Sequence, residues 1–97
     1  MTTFSSKQGR KDDSDKADMT YLNYQIMISY CKVLEHGAKK YGRDNYKKVD
    51  DYERRYLAAL VRHALQRISG EVIDKDSGLP HMAHAMANCG FILEKDL

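Results

Sequence analysis

Apolar residues recur every three or four positions in three stretches of the chain, separated by turn-forming residues. In the first stretch Leu22, Ile26, Tyr30, Val33 and Gly37 share one face, which predicts a helix over about Met19 to Tyr41. Gly42 is placed to stop it. "GRDNYKKVDD" then reads as a loop rich in turn formers. A second helix is predicted from Asp50 or Asp51, either of which can cap it. Leu57, Leu60, Val61, Ala64, Leu65 and Ile68 would be its buried face, and Gly70 would weaken or end it. "DKDSG" is a second loop. Ser77 and Pro80 suit the start of a third helix, with Pro80 in its first turn. Met82, Met86, Cys89 and Leu93 would be the apolar stripe of that helix. No strand alternation or internal repeat appears. The expected fold class is all-α, a small bundle of about three helices.

Composition divides this pattern into a tail and one domain. Residues 1–18 hold almost no large apolar side chains and read as a mobile tail. Residues 19–97 form the single helical domain. A core this small gains most from burying further surface, so completion of the bundle by self-association is expected. The net charge is +2, from 16 basic and 14 acidic side chains. That balance lacks the basic excess of a polymeric nucleic-acid binder. No apolar run reaches membrane-spanning length, and the N-terminus lacks the apolar segment of a signal peptide. Cys31 and Cys89 have no metal-motif spacing. Each sits in an apolar stretch, which reads as a buried free thiol in a reducing cytoplasm.

The candidate chemistry lies between residues 35 and 88. Glu71 and Asp74 are three apart, so one helical turn would point both the same way. Paired carboxylates suit Mg²⁺, although a solvated acidic turn has the same spacing. Glu35 is the best third carboxylate, being the only acidic residue between Asp18 and Asp44; Asp76 is a reserve. Lys39, Lys40, Arg43 and Asn45 surround a glycine-bounded turn. They suit phosphate, or else simply complement the helix dipole. His81, His84 and Asn88 occupy one face of the third helix, opposite its methionines. Two histidines three apart are only a weak zinc signal. Arg62 and His63 flank the stripe of the second helix. The arginine there calls for an anion, which Glu35, Asp74 or a phosphate would supply. Tyr41 and Tyr46 could stack a base or merely pack.

Three segments in order, "GAKKYGRDNY", "RYLAALVRHALQRISGE" and "DKDSGLPHMAHAMAN", resemble the phage dATP/dGTP diphosphohydrolases, the MazZ-like enzymes. These belong to the broader MazG-like all-α nucleoside triphosphate pyrophosphohydrolases. The resemblance covers about residues 10–95. It implies a homo-oligomer, dimer or tetramer, with sites near subunit contacts. It also implies Mg²⁺ or Mn²⁺, and cleavage of a purine deoxynucleoside triphosphate to monophosphate and pyrophosphate. "EVID" resembles the second half of the family's metal motif, which carries the ligand role to Glu71 and Asp74. Glu35 is left without an acidic partner, since Lys32 and Ala38 stand three residues away. Tyr46 stands where a tryptophan is common in the family, and Val49 lies in a loop that lacks its usual glycine.

The expected function is therefore a metal-dependent nucleotide pyrophosphohydrolase. Glu35, Glu71 and Asp74 would be the catalytic metal ligands. Lys39, Lys40, Arg43 and Arg62 would meet the phosphates, and His63, His81, His84 and Asn88 would line the site. Tyr41, Asn45 and Tyr46 would meet the base. The alternative is a phage nucleotide-binding protein that sequesters a nucleotide without turnover. A purely structural helical oligomer would leave the clustered charges unused.

Overall fold

A computed structural model of the chain describes residues 9–97. Residues 1–8 of the expected tail lie outside the described residues; 9–18 are exposed and hold no helix. Three α-helices follow, α1 (Tyr24–Tyr41), α2 (Tyr52–Ile68) and α3 (His81–Asp96), with no strand among the described residues.

α1 begins five residues later than the apolar stripe suggests. Met19–Tyr21 form a separate 3₁₀ turn in which the Asp18 carboxylate accepts from the Thr20 backbone N–H. Asn23 then takes extended backbone, and its Oδ1 accepts from the Ile26 N–H at 3.0 Å, capping α1. Gly42, at φ 92°, ends the helix in a conformation that a side chain would strain. Between α1 and α2 the expected loop contains a 3₁₀ turn, Asn45–Lys48. Asp51 precedes α2 as expected but makes no side-chain cap. It stands at φ 53°, and its carboxylate is taken by Arg54 instead. Pro80 sits just before α3 rather than within its first turn.

Contacts across the bundle fix its topology. His63 of α2 meets His81 and His84 of α3, while Tyr56 of α2 meets Phe91. α2 and α3 are therefore antiparallel. His36 of α1 faces His84, and Tyr30 faces Gly90, so α1 is antiparallel to α3 as well. α3 is the central helix. The small Ala83 and Ala87, one turn apart on α3, are buried with Val33 of α1; Tyr30, Leu34, Leu79 and Phe91 pack around them. Burying Val33 contributes roughly 1.5–3 kcal/mol.

Two predicted helix faces are turned the other way. On α2, Leu57, Val61, Leu65 and Ile68 are exposed, and only Leu60 and Ala64 of the expected face are half-buried. On α3, Met82, Met86, Cys89 and Leu93 are exposed, while His81, Ala83, Ala87 and Asn88 are buried. The cause is that each helix carries apolar residues on more than one side. One three-helix layer can bury only one side of each. The small alanines, which let helices approach, take the inner positions together with polar groups that find partners. The cysteines follow the same geometry. Cys31 and Cys89 each lie two positions from a buried residue, on the opposite side of the helix, and both are exposed free thiols rather than buried ones. Among the described residues no helix is long and apolar enough to cross a membrane.

Candidate functional site

Glu71 and Asp74 are brought together by a turn, not by a helix. Gly70, at φ 105°, breaks away from α2, and the Glu71 N–H still donates to Gln66 O. The chain then folds back on itself. Asp74 N–H donates to Leu79 O at 2.8 Å, and His81 N–H to Val72 O at 3.0 Å, with Ile73 bridging Pro80. Gly78, at φ 74°, permits the return. This short closed loop delivers His81 to the two acids. Ligand atoms of Glu71, Asp74 and His81 lie within 4.8 Å of one another, the one such trio among the described residues.

Each member of the trio is held by neighbours. His81 is fully buried. Its Nε2 lies 3.2 Å from Glu71 Oε1, and its Nδ1 lies 2.8 Å from His63 Nδ1. With Glu71 ionised, His81 donates through Nε2 and accepts at Nδ1 from the His63 N–H. Asp74 Oδ2 accepts from both the backbone N–H and the hydroxyl of Ser77, at 3.0 and 2.7 Å. Ser77 Oγ in turn lies 2.7 Å from His84 Nε2. Because Ser77 donates to Asp74, its oxygen accepts from His84 Nε2–H, which leaves His84 Nδ1 as an acceptor. The expectation that Ser77 opens α3 is thus corrected: it is the clasp of the acidic loop.

The electrostatics follow from this packing. Burial works to raise the Asp74 pKa. The two Ser77 hydrogen bonds, with the fields of His84 and His81, outweigh it and hold the carboxyl below its ordinary range. Burial lowers the pKa of His84, and the neighbouring His63 lowers it further against the pull of Asp74. Burial and His81 likewise lower that of His63. The His63 and His84 rings stack at 4.5 Å and 5°, and His36 meets His84 edge-on at 6.4 Å. All four histidines of the chain thus gather at this point.

A cleft of about 1120 Å³, large enough for a nucleotide-sized ligand, reaches the trio at Asp74; Glu71 and the buried His81 are not among its lining residues. Of the residues singled out in the sequence, Glu35, Lys40, Tyr41, Arg43, Asn45, Tyr46, Arg62, His63, Asp74, Asp76, His84 and Asn88 line it. Glu35 is exposed and stands apart from the trio. Lys39 is exposed and is not among the lining residues, whereas Lys40 pairs with Asp76 at 3.3 Å. Asn88 donates to the backbone oxygen of His84. The cleft also contains residues the sequence reading left out: His36, Tyr30, Tyr56, Phe91 and Glu94. The last two were within reach, because Phe91 continues the His84–Asn88 stripe at seven residues and Glu94 lies one turn further. Ser77 was visible too, three residues after Asp74, where an aspartate commonly closes a turn on a following backbone N–H.

The donor set of Glu71, Asp74 and His81 fits a divalent cation. Two carboxylates supply the hard oxygen ligands that suit Mg²⁺ or Mn²⁺, and the imidazole adds a borderline nitrogen. Ligation through His81 Nε2 would move the ring proton to Nδ1, where His63 Nδ1 would accept it as the outer partner of a ligating histidine.

Comparison with known proteins agrees with the pattern of residues. A dATP/dGTP diphosphohydrolase of Salmonella phage PMBT28 is 34% identical over 86 residues, which cover 87% of this chain. The chain spans 28% of the length of that relative. No solved structure matches. The profile described as "dATP/dGTP diphosphohydrolase, N-terminal" matches residues 6–97, nearly the whole chain, and the chain belongs to that family.

Proposed function

We propose that the protein is a metal-dependent nucleoside triphosphate pyrophosphohydrolase that converts purine deoxynucleotides, dATP or dGTP, to the monophosphate and pyrophosphate. The observation that carries this reading is the convergence of Glu71, Asp74 and His81 at a nucleotide-sized cleft that Asp74 lines together with Lys40, Arg43 and Arg62. The name of the phage relative supports the same substrate class.

Glu71, Asp74 and His81 would hold Mg²⁺ or Mn²⁺, with Glu35 of α1 outside that trio on the wall of the cleft. When bound, such an ion neutralises phosphate charge and makes water more acidic. The chain's own residues supply the rest. Lys40, Arg43 and Arg62 take the charge of the triphosphate and of the departing pyrophosphate. Ser77 keeps Asp74 ionised and aimed. His63 fixes the ring of His81 through its Nδ1. His84, with its pKa lowered, stays neutral near pH 7 and offers Nδ1 as a proton acceptor.

The exposed apolar residues Leu57, Val61, Leu65, Met82 and Met86 support a dimer or tetramer, because an isolated chain would leave this surface in water. A second reading, nucleotide capture without turnover, is favoured by the absence of Glu35 from the trio and by its lack of an acidic partner three residues away. Incubation with Mg²⁺ and a panel of deoxynucleoside triphosphates separates the two. Pyrophosphate release from dATP or dGTP is expected. Tight binding without release would select the second reading.

A further inference from the structure

We propose that Asn88 reads the free 3′-hydroxyl of a nucleotide bound in the cleft, its Oδ1 accepting a hydrogen bond from that group. The inference deepens the proposed function and rests on its nucleotide ligand.

Three observations carry it. First, Asn88 is the buried polar residue of the cleft wall. It is 7% exposed, and the other lining residues buried as deeply are the apolar Val33 and Ala87. Burying an amide costs free energy unless its polar atoms find partners. Secondly, chemistry fixes the orientation of the amide. Its nitrogen lies 3.0 Å from the backbone oxygen of His84. A carbonyl oxygen only accepts, so the NH₂ group faces it and Oδ1 faces away. Thirdly, Oδ1 has no partner among the described residues, yet no enclosed side-chain oxygen or nitrogen among them is left unpaired. Oδ1 is therefore the part of this buried side chain that stays accessible, and what it reaches is the cleft that Asn88 lines.

The missing partner is a donor. Oδ1 carries lone pairs and no proton, which excludes an ionised phosphate oxygen. Asn88 stands four residues beyond His84 on α3, about 6 Å along the axis from the end of the cleft where His84 meets Asp74. Next to the reacting phosphate of a nucleotide comes the sugar. The ring and ester oxygens of a sugar accept, and only its hydroxyls donate. In a deoxynucleotide the 3′-hydroxyl is the one donor that the sugar offers. The cleft has room for it. The pairings of His63 with His84 and of Tyr56 with Phe91 place Ala59 of α2 level with Asn88, and a methyl side chain there leaves space in front of the amide. A 3′-phosphate would bring acceptor oxygens and negative charge against Oδ1. The contact thus selects a free 3′ end over a phosphorylated one.

The test measures binding of dAMP, 2′,3′-dideoxy-AMP and deoxyadenosine 3′,5′-bisphosphate to the full chain and to Asn88→Ser by calorimetry with Mg²⁺ present. Pyrophosphate release from dATP and 2′,3′-dideoxy-ATP is measured alongside. A helical serine donates to the carbonyl four residues back, so this variant keeps the inward bond to His84 and withdraws the acceptor from the cleft. Wild type should bind dAMP roughly two- to tenfold more tightly than the dideoxy nucleotide, as for one hydrogen bond between uncharged groups. The bisphosphate should bind no better than the dideoxy form. In Asn88→Ser the ratio of dAMP to dideoxy-AMP affinity should fall to near one. That ratio is read within one protein, so a general loss of affinity does not move it. The proposal is overturned if wild type binds the two alike, which would turn the amide toward water, or if the ratio survives in the variant. Tighter binding of the bisphosphate than of dAMP would overturn it as well. If the variant does not fold, the wild-type comparison of the three ligands decides. A 3′-hydroxyl preference that depends on Asn88, without pyrophosphate release, would uphold the contact and reject hydrolysis. Absence of binding by any of these nucleotides would reject both.

Discussion

Replacing Ser77 with alanine removes one hydroxyl that serves three partners. Ser77 Oγ donates to Asp74 Oδ2 at 2.7 Å, lies 2.7 Å from His84 Nε2 and accepts from the Leu79 N–H at 3.2 Å. The side chains of Asp74 and His84 are only 18% and 14% exposed, so water cannot readily replace the lost group. A hydrogen bond to a charged group is worth about 1.5–3 kcal/mol, and that range is the expected loss of stability at neutral pH. The pH dependence gives a sharper reading. The Asp74 pKa is depressed in the folded chain, so its contribution is present above the ordinary aspartate value of 3.8. It is lost as pH falls through the folded value. Much of what Ser77 contributes passes through ionised Asp74. The difference between wild type and Ser77→Ala should therefore shrink as pH falls from 7 to below the folded pKa. Urea unfolding in EDTA, followed by circular dichroism at a series of pH values, measures this directly. A loss below about 0.5 kcal/mol at neutral pH would put the site within the ordinary range for surface substitutions. A penalty that does not change on acidification would show that Ser77 does not act through the Asp74 charge.

Two further predictions concern packing and assembly. A methyl group on Gly90 would collide with the Tyr30 hydroxyl, so Gly90→Ala should destabilise by about 1–3 kcal/mol despite its better helix propensity, and Tyr30→Phe should recover part of that loss; a Gly90→Ala variant more stable than wild type in urea would contradict the contact. Light scattering at micromolar concentration should give two or four times the chain mass of 11.2 kDa, and Leu65→Glu on the exposed face of α2 should lower it; a monomeric wild type would reject association through that face.

The three helices were legible because each carries an apolar stripe at helical spacing and a boundary signal: Gly42 and Gly70 as stops for the first two and Pro80 at the start of the third. Their rotation was not. Leu57, Val61 and Leu65 look like a core face in isolation. Nothing in one sequence tells a core stripe from a surface that awaits another chain. The inversion of α3 has a chemical cause as well. His81 and Asn88 are polar, and polarity alone places them outside. Buried partners reverse that: Glu71 and His63 satisfy His81, and the backbone oxygen of His84 satisfies Asn88. The meeting of Glu71 with Asp74 was suggested by their spacing through the wrong element. The turn that unites them depends on Gly70, Gly78 and the Ser77 clasp, whose combined effect is tertiary. Phe91 and Glu94 passed unnoticed because an aromatic and an acid near a helix end have ordinary structural explanations until both line the same cleft.

The central claim is that Glu71 and Asp74 serve one divalent ion in pyrophosphate release. Its most direct test is the rate of that release from dGTP and dATP as Mg²⁺ is titrated, for wild type, Glu71→Gln and Asp74→Asn. Both substitutions keep the side-chain shape and remove the negative charge that draws the ion. The account predicts saturable, Mg²⁺-dependent release by wild type and no turnover by either variant, with helical circular dichroism retained. Release by either variant at the wild-type rate under limiting Mg²⁺ would contradict it.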